Sequence, residues 1–229
     1  MALDVKLIAH TTEPVRVVAA AAKICYSDSP VGKLLEGLDE ANIDRLLSIL
    51  RESGHMSPYE HASFTFSIEG VSRVATHQLV RHRIASFSQR SQRYVSEDGS
   101  RCVMPPEVKG NAEARAVFEE CVKNARDAYE RMTALGVPKE DARFALPHGW
   151  ETAIVVTMNA RELRHFFEQR LCRRAQWEIR EAARRMLVSV WGIARELFYF
   201  TGPSCVAKVC TEYRPCGTPY EKTEEVMEP

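Results

Sequence analysis

The stretch Arg81–Tyr94 reads RHRIASFSQRSQRY and contains four arginines, one histidine and three serines. It has no lysine, aspartate or glutamate, whereas an ordinary solvated surface mixes both signs of charge. Guanidinium groups are planar and donate paired hydrogen bonds to phosphate and carbonyl oxygens. The stretch therefore predicts a pocket for a polyanionic small molecule.

Length and charge exclude several classes of protein. The 229 residues, with a mass of 26.0 kDa, suffice for one sizeable domain with a buried core. The 31 basic and 31 acidic residues balance, which argues against a general nucleic-acid coat protein. That balance hides two arginine-rich segments, because the chain has 23 arginines and only 8 lysines. The second segment, Arg161–Arg185, holds eight arginines and no lysine.

The cysteines and histidines give no sign of a disulfide framework or a metal site. The seven cysteines are scattered, without a CxxC pair, and the N-terminus is not signal-like. This predicts reduced thiols and a cytoplasmic protein. No apolar run approaches the ~20 residues that span a bilayer, so we expect no membrane partner. His77 and His82 are five apart and His55 and His61 six apart, which does not match helical metal-ligand spacing, so no metal is predicted.

Hydrophobic periodicity predicts an α+β fold, a helix-rich single domain with a small mixed or antiparallel sheet. Strands are predicted at 5–9, 64–68 and 153–158. Helices are predicted at 12–25, 39–52, from 72 towards 81 after a turn at Gly70, at 111–135, and from 159 to 200 with a break near 171–174. Residues 1–210 form the predicted domain. Residues 211–229, rich in proline, glycine and glutamate, form a tail that we expect to be partly disordered.

Polar residues at these helices supply candidate ligand groups. Gln78 and Arg81, three apart on a predicted helix, are expected to share a face. Asn159 and Glu162 resemble a helix-capping arrangement, and a helix N-terminus there favours anions. Arg170 lies among apolar neighbours, where an unpaired charge is costly, so a functional partner is expected.

For other polar residues a purely structural role is expected or remains an alternative. Ser57–His61 either lines a ligand site or forms a turn with a local cap. Arg73 is expected on the solvated surface, and Glu178 is expected to pair with Arg174 or Arg180. The apolar stripe from Met186 to Phe198 is expected to be core or a subunit interface.

The sequence resembles one enzyme family. Arg81-His82-Arg83, followed by seven residues and then Ser91, is similar to the signature of the flavin-dependent thymidylate synthases. Ordered blocks from about residue 55 to 180 extend the resemblance. They are Ser57–His61, Ser72–Arg81, Arg143 with Ala145–Pro147, Asn159–Arg161, His165-Phe166, Arg170 and Ala175–Arg180. On these residues the chain is identified as a member of that family.

The resemblance implies a homotetramer whose active sites lie where subunits meet. It implies a methyltransferase that converts dUMP into dTMP with 5,10-methylenetetrahydrofolate as one-carbon donor, FAD as hydride carrier and NADPH as reductant. The residues implied to contact FAD are Ser57, Arg81, His82, Arg83, Ile84, Gln89, Asn159, Arg161 and His165. Those implied to hold the nucleotide, from more than one subunit, are Gln78, Arg81, Gln89, Arg90, Ser91, Gln92, Arg93, Arg143 and Arg170.

The chemistry of these residues agrees with the implied roles. Arg170 is implied to be the catalytic residue that polarises the uracil ring near N3. Hydride arriving at C6 develops negative charge on the ring carbonyls, which a fixed guanidinium stabilises. The resemblance implies that the hydride comes from the flavin, so no protein nucleophile is required. One departure is Ser88-Gln89, where many relatives carry Asn-Glu, so a neutral amide replaces a carboxylate beside the flavin.

Two other functions compete with this interpretation. The first is a flavin-dependent NADPH oxidoreductase without methyl transfer. The second is an RNA-binding module that uses Arg81–Arg93. The zero net charge and the absence of interleaved lysine disfavour the second, so no nucleic-acid partner is expected.

Overall fold

A four-stranded antiparallel sheet lies at the centre of the computed structural model, which describes residues 3–97, 99 and 101–228. The elements are β1 (Asp4–His10), α1 (Pro14–Ile24), α2 (Val31–Glu36), α3 (Glu40–Ser53), β2 (Ser63–Ser72), α4 (Arg73–Leu79), β3 (Ala85–Gln89), α5 (Pro106–Lys109), α6 (Ala112–Ala134), α7 (Lys139–Ala142), β4 (Glu151–Asn159), α8 (Ala160–Arg170), α9 (Trp177–Phe198), α10 (Ser204–Ala207) and α11 (Thr223–Met227). Short 3-10 helices span Ser57–His61 and Arg143–Ala145. The strand order is β1-β2-β4-β3. None of the helices in the described ranges combines the length and apolar character needed to cross a bilayer.

The core forms between one face of this sheet and the long helix α9. Phe64, Phe66 and Ile68 alternate along β2 with small polar residues and are fully buried, as a strand period of two requires. The Phe64 ring meets Phe198 of α9 edge-on, with centroids 5.7 Å apart. The predicted helix-rich α+β fold is therefore confirmed. The apolar stripe of α9 is core, and its fully buried members are Met186, Leu187, Val190, Ala194, Leu197 and Phe198.

Gly70 is a β-bulge and not the turn that the sequence predicted. Its φ of 67° is in the left-handed region, and the pairing of β2 with β4 shifts register between Glu69 and Val71. Because the bulge keeps the strand paired, β2 continues to Ser72. The Ser72 hydroxyl then caps α4 by accepting a hydrogen bond from the Ala75 N–H at 3.1 Å.

The helix α4 is shorter than predicted. It ends at Leu79, and Val80 is its C-cap, so the prediction that Gln78 and Arg81 share a helix face is wrong. The Arg81 N–H donates to the Gln78 carbonyl in a turn, at 3.2 Å. The chain must reverse here because β3 pairs antiparallel with β4 a few residues later.

A buried carboxylate links α9 to the junction of β2 and α4. Glu178, only 2% exposed, accepts hydrogen bonds from the Ser72 N–H at 2.6 Å and the Ser72 hydroxyl at 2.5 Å. Burial raises the pKa of this carboxyl, and the bonds from Ser72 and Gln176 oppose that rise. The expected pairing with Arg174 or Arg180 is wrong, because Glu178 points into the core and away from those arginines.

The second arginine-rich segment mostly binds backbone carbonyls. Arg173 donates to the Thr218 carbonyl at 2.9 Å and Arg184 to the Met227 carbonyl at 2.8 Å. The Arg173 guanidinium also lies 4.0 Å from the centroid of the Tyr220 ring. These contacts hold the tail against α8 and α9, where α11 buries Val226. A partly disordered tail was expected from the sequence, and α11 was not predicted; Pro229 lies outside the described residues.

Replacing Ser72 with alanine tests the link between α4 and α9. Ser72→Ala removes the cap of α4 and one hydrogen bond to a buried carboxylate, so we expect a loss of about 1–3 kcal/mol in the free energy of unfolding. Urea unfolding followed by circular dichroism measures it. Ser86→Ala, at an exposed position of β3, is the matched control and should change stability by no more than about 0.5 kcal/mol. Equal stability of the two variants would contradict the assigned role.

Candidate active site

The strand β3 divides the predicted site residues into two clusters. It is an edge strand in which Ala85 pairs with Met158 and Gln89 with Ile154. Its five residues span about 17 Å at the usual rise of a strand. Residues before β3 therefore lie where β4 runs into α8, and residues after it lie at the other end of β4. We name these groups the α8 cluster (Arg81, His82, Arg83, Ile84, Asn159, Arg161, His165, Arg170) and the Arg143 cluster (Gln89, Arg90, Ser91, Gln92, Arg93, Arg143).

His82 is the buried centre of the α8 cluster. It is 4% exposed, and its ring packs edge-on against Phe166 with centroids 4.9 Å apart. Arg170 Nε lies 3.0 Å from His82 Nε2, and Glu162 Oε1 lies 3.2 Å from His82 Nδ1. Because an arginine N–H only donates, Nε2 must be the acceptor and the ring proton must be on Nδ1. The contact between His82 and Glu162 is therefore a hydrogen bond of a neutral imidazole and not an ion pair.

The electrostatics of the cluster agree with a neutral His82. Burial lowers its pKa to about 4, and the nearby charges of Arg170 and His165 act in the same direction. Burial also raises the pKa of the Glu162 carboxyl and lowers the pKa of Arg170. These three groups thus lie in a region where water screens charge poorly.

The outer part of the α8 cluster offers free hydrogen-bond donors. Arg81 and Arg83 are exposed, and neither side chain has a hydrogen bond or ion pair with any residue that the structure describes. Ile84 beside them is 70% exposed. Unpaired guanidinium groups next to an open apolar side chain fit a ligand that carries both phosphate and an aromatic ring.

The start of α8 lies beside these arginines. Asn159 Oδ1 accepts a hydrogen bond from the Glu162 N–H at 2.8 Å, so the predicted asparagine cap is confirmed. Glu162 does not complete a capping box, because its carboxylate turns to His82. Arg161 pairs with Glu60 at 2.5 Å, which joins α8 to the 3-10 helix at whose exposed start Ser57 lies. Gln78 is near the cluster through its turn with Arg81.

Three members of the Arg143 cluster, Gln89, Gln92 and Arg143, line a cavity of about 370 Å³. Arg73 also contributes to its wall. Gln92 is 7% exposed, and neither its Nε2 nor Arg73 Nε finds a hydrogen-bond partner among the described residues. Buried donors without a partner are costly, so this wall suits a polar ligand.

Arg73 is a cavity residue that the sequence analysis assigned to the surface. Its Nη2 donates to the Arg90 carbonyl at 3.0 Å. Burial lowers its pKa, Glu97 opposes that shift, and Arg143 adds to it. The proximity of the Arg73 and Arg143 charges favours an anion between them. This proximity could not be predicted from the sequence, because it results from the packing of α4 against the loop before β4.

Some predicted residues are already engaged within the chain. Gln89 Nε2 donates to Thr76 Oγ1 at 3.2 Å, so this side chain faces α4 at the Arg143 end of β3. Arg93 pairs with Glu140 at 2.8 Å, and Arg143 Nε donates to the Glu140 carbonyl at 3.0 Å. Within the described ranges, no group of three or more His, Cys, Asp or Glu side chains could hold a metal ion.

Glu162 was not among the site residues predicted from the sequence. Its signal was present, because Glu162, Phe166 and Arg170 are spaced by four and therefore share one helix face. The capping pattern with Asn159 concealed that signal. Only the approach of His82 from another part of the chain showed which partner the carboxylate takes.

A helix-rich α+β fold with two arginine-rich clusters fits the class of proteins that bind anionic ligands, and comparison with known proteins shows the family within that class. Residues 6–194 match the family described as Thymidylate synthase complementing protein. The flavin-dependent thymidylate synthase of Clostridium tetani is 45% identical over 228 residues, covering 93% of this chain and 92% of the relative. The enzyme of the same name from Geobacter sulfurreducens is 49% identical over 212 residues, covering 92% and 91%.

A solved structure agrees with these relatives. The UMP/dUMP methylase PolB from Streptomyces cacaoi, bound with 5-Br dUMP, superposes with a TM-score of 0.70 at 25% identity and covers 86% of this chain and 94% of that chain. The chain therefore belongs to the flavin-dependent thymidylate synthase family, as its sequence predicted. The prediction of a methyltransferase enzyme is confirmed with it.

The low pKa of His82 makes stability depend on pH. An unfolded histidine binds a proton near pH 6.5, whereas His82 in the fold does so only near pH 4. The unfolded chain therefore binds more protons in this window, and stability falls as the pH drops from about 6.5 to about 4. Between pH 7 and pH 5 we expect the free energy of unfolding to fall by ~1–2 kcal/mol more in the unmodified protein than in His82→Gln. Urea unfolding at both pH values measures this difference.

The control for this measurement is His55→Gln, at an exposed position. It should keep the pH dependence of the unmodified protein. If His82→Gln lost as much stability on acidification as the unmodified protein does, His82 would not be held neutral in the fold.

Proposed function

We propose that this chain catalyses the reductive methylation of dUMP to dTMP, with 5,10-methylenetetrahydrofolate as one-carbon donor, FAD as hydride carrier and NADPH as reductant. The observation that carries the proposal is the α8 cluster, where the exposed arginines Arg81 and Arg83 lie beside a helix N-terminus and the partly buried Arg170. The names of the relatives, flavin-dependent thymidylate synthase and dUMP methylase, support the same reaction.

The α8 cluster has the donors that FAD needs. When bound, the flavin supplies the hydride of the reduction. Arg81 and Arg83 would hold its pyrophosphate, since both guanidinium groups are exposed and without partners in the described chain. Asn159 and the start of α8 would add backbone N–H groups and a favourable dipole. Ile84 and His165, both exposed, would contact the ring system.

The Arg143 cluster has the donors that a nucleotide monophosphate needs. Arg90 and Arg143 would hold the phosphate, with the Ser91 hydroxyl and the Gln92 amide beside them. Arg170 would lie against the uracil ring. Its guanidinium would stabilise the negative charge that develops on the ring carbonyls as hydride arrives, and poor screening by water strengthens that effect.

A complete site needs both clusters, and β3 separates them within one chain. We propose that the α8 cluster of one subunit meets the Arg143 cluster of another in a homotetramer. This arrangement also accounts for Gln89, which would reach the flavin of a neighbouring subunit although it lies at the Arg143 end of its own β3. Closed symmetry repeats such a contact in every subunit.

The role of Arg170 is tested by substitution. Arg170→Ala should lower the rate of dTMP formation by about 10²–10³-fold, since a donor aimed at developing charge is lost, and should keep bound flavin. Chromatography of the product and visible absorption per chain measure the two effects. Arg195→Ala, at an exposed arginine of α9, is the control and should keep full activity. Full activity of Arg170→Ala would remove its assigned role.

The same assay separates the competing functions. NADPH oxidation that ignores dUMP and yields no dTMP would indicate an oxidoreductase without methyl transfer. A protein that lacks flavin and binds RNA with an affinity falling steeply with salt would indicate the nucleic-acid module.

Mixed tetramers test whether one site combines two subunits. Arg143→Ala and Arg170→Ala should each retain no more than about 1% of the activity alone. Co-expressed with different affinity tags, the two chains should recover about a quarter of the activity per site, because random mixing pairs an intact Arg143 with an intact Arg170 at that frequency. A double variant mixed with Arg170→Ala is the control and should recover none. No recovery in the first mixture would show that both residues act from one chain.

A further inference from the structure

Glu162, His82 and Arg170 form a line of hydrogen bonds that joins α8 to the turn before β3. Glu162 is 5% exposed and His82 is 4% exposed. The two contacts measure 3.2 Å and 3.0 Å. A buried carboxylate is costly unless it accepts hydrogen bonds. Among the described residues, the Glu162 carboxylate accepts its hydrogen bond from His82 Nδ1.

The direction of each hydrogen bond in this line is fixed. A carboxylate accepts, so Nδ1 of His82 carries the ring proton and donates it to Glu162. That assignment leaves a lone pair on Nε2, which accepts from Arg170 Nε. The other tautomer would place an N–H against the Arg170 N–H, which is repulsive. Glu162 therefore selects the only neutral form of His82 that can hold Arg170.

Only Nε of the Arg170 guanidinium takes part in this line of hydrogen bonds among the described residues. Across the described residues, the two terminal amino groups of Arg170 have no hydrogen-bond partner in the chain. They form the paired donors that arginine uses for planar carbonyl edges. Holding Nε fixes the plane of the guanidinium, so it also fixes the direction of these donors.

Helix capping does not explain the position of the Glu162 carboxylate. The Asn159 side chain already caps α8 by accepting from the Glu162 N–H. The Glu162 side chain instead leaves the helix end and meets a residue eighty positions earlier. A buried carboxylate adds little to stability by itself, since apolar residues of similar size in its place often give a fold that is equally stable.

We propose that Glu162 is a positioning residue: it fixes the Nδ1–H tautomer of His82, and through it the orientation of the Arg170 guanidinium towards the pyrimidine ring. The proposal rests on the proposed function for its effect on rate. Its effect on the tautomer of His82 does not depend on that function.

Nitrogen NMR of the full-length, flavin-bound protein labelled with 15N-histidine tests the tautomer. His82 should contribute an Nδ1–H pattern at pH 7.5, and loss of this signal in His82→Gln assigns it among the histidines of the chain. In Glu162→Leu, which is close in size and apolar, the His82 signal should shift towards the Nε2–H pattern. Glu162→Gln offers a carbonyl oxygen as acceptor and should restore Nδ1–H. Glu168→Ala, at an exposed glutamate of the same helix, is the control and should leave the signal unchanged.

Kinetics of the same variants tests the consequence for Arg170. Glu162→Leu should lower kcat for dTMP formation by about 10–100-fold, the scale of a misaligned catalytic group. The KM for dUMP and the flavin content should change by less than about 3-fold, because the phosphate and flavin contacts remain. Glu162→Gln should recover kcat to within about 3-fold of the unmodified protein.

The outcomes separate this proposal from the proposed function. A Glu162→Leu protein with unchanged tautomer and unchanged kcat would overturn the positioning role while dTMP formation stands. If the unmodified protein made no dTMP, the proposed function would fail, and the NMR signal of Glu162→Leu would still decide whether Glu162 sets the tautomer. If Glu162→Leu does not fold, Glu162→Ala takes its place, with the same expected shift and the same contradicting result.

Discussion

The antiparallel pairing of β3 with β4 is the constraint on which the arrangement of the site depends. Backbone hydrogen bonds fix the register from Ala85–Met158 to Gln89–Ile154. That register carries the residues before β3 to the start of α8 and the residues after β3 to the cavity beside Arg143. A shift of one residue would turn every side chain of β3 to the other face, so local pairing decides which arginines can act together.

The two arginine-rich segments of the chain have different physical roles. Arg81 and Arg83 remain exposed, with side chains that have no partner in the described chain, and are available to a ligand. Most arginines of the second segment donate hydrogen bonds to backbone carbonyl oxygens of the same chain. These arginines are Arg164, Arg173, Arg174, Arg180, Arg184 and Arg185. The same side chain suits both roles because a guanidinium has several donors in a fixed plane. Arg170 belongs to both groups, since its Nε is bound to His82 and its two terminal amino groups have no hydrogen-bond partner among the described residues.

Local patterns predicted most of the elements because their causes are local. The alternation of Phe64, Phe66 and Ile68 reports a strand with one buried face, and Asn159 caps a helix through a bond to a residue three positions on. The predictions that failed depended on distant partners. Gly70 stays within a strand because β4 pairs on both sides of it, and Glu178 turns inward because Ser72 meets it there.

The sequence by itself determined the family, the α+β class and most of the residues that line the two clusters, since their identities and spacing are properties of the chain. Only the tertiary structure decided how these residues are grouped, which nitrogen of His82 carries a proton, and that Glu162 contacts the α8 cluster and Arg73 contacts the Arg143 cluster. Each of those results depends on groups far apart in sequence that share a buried space. A buried polar group that loses its hydrogen-bond partner destabilises the protein, and which groups are buried together is decided by the fold.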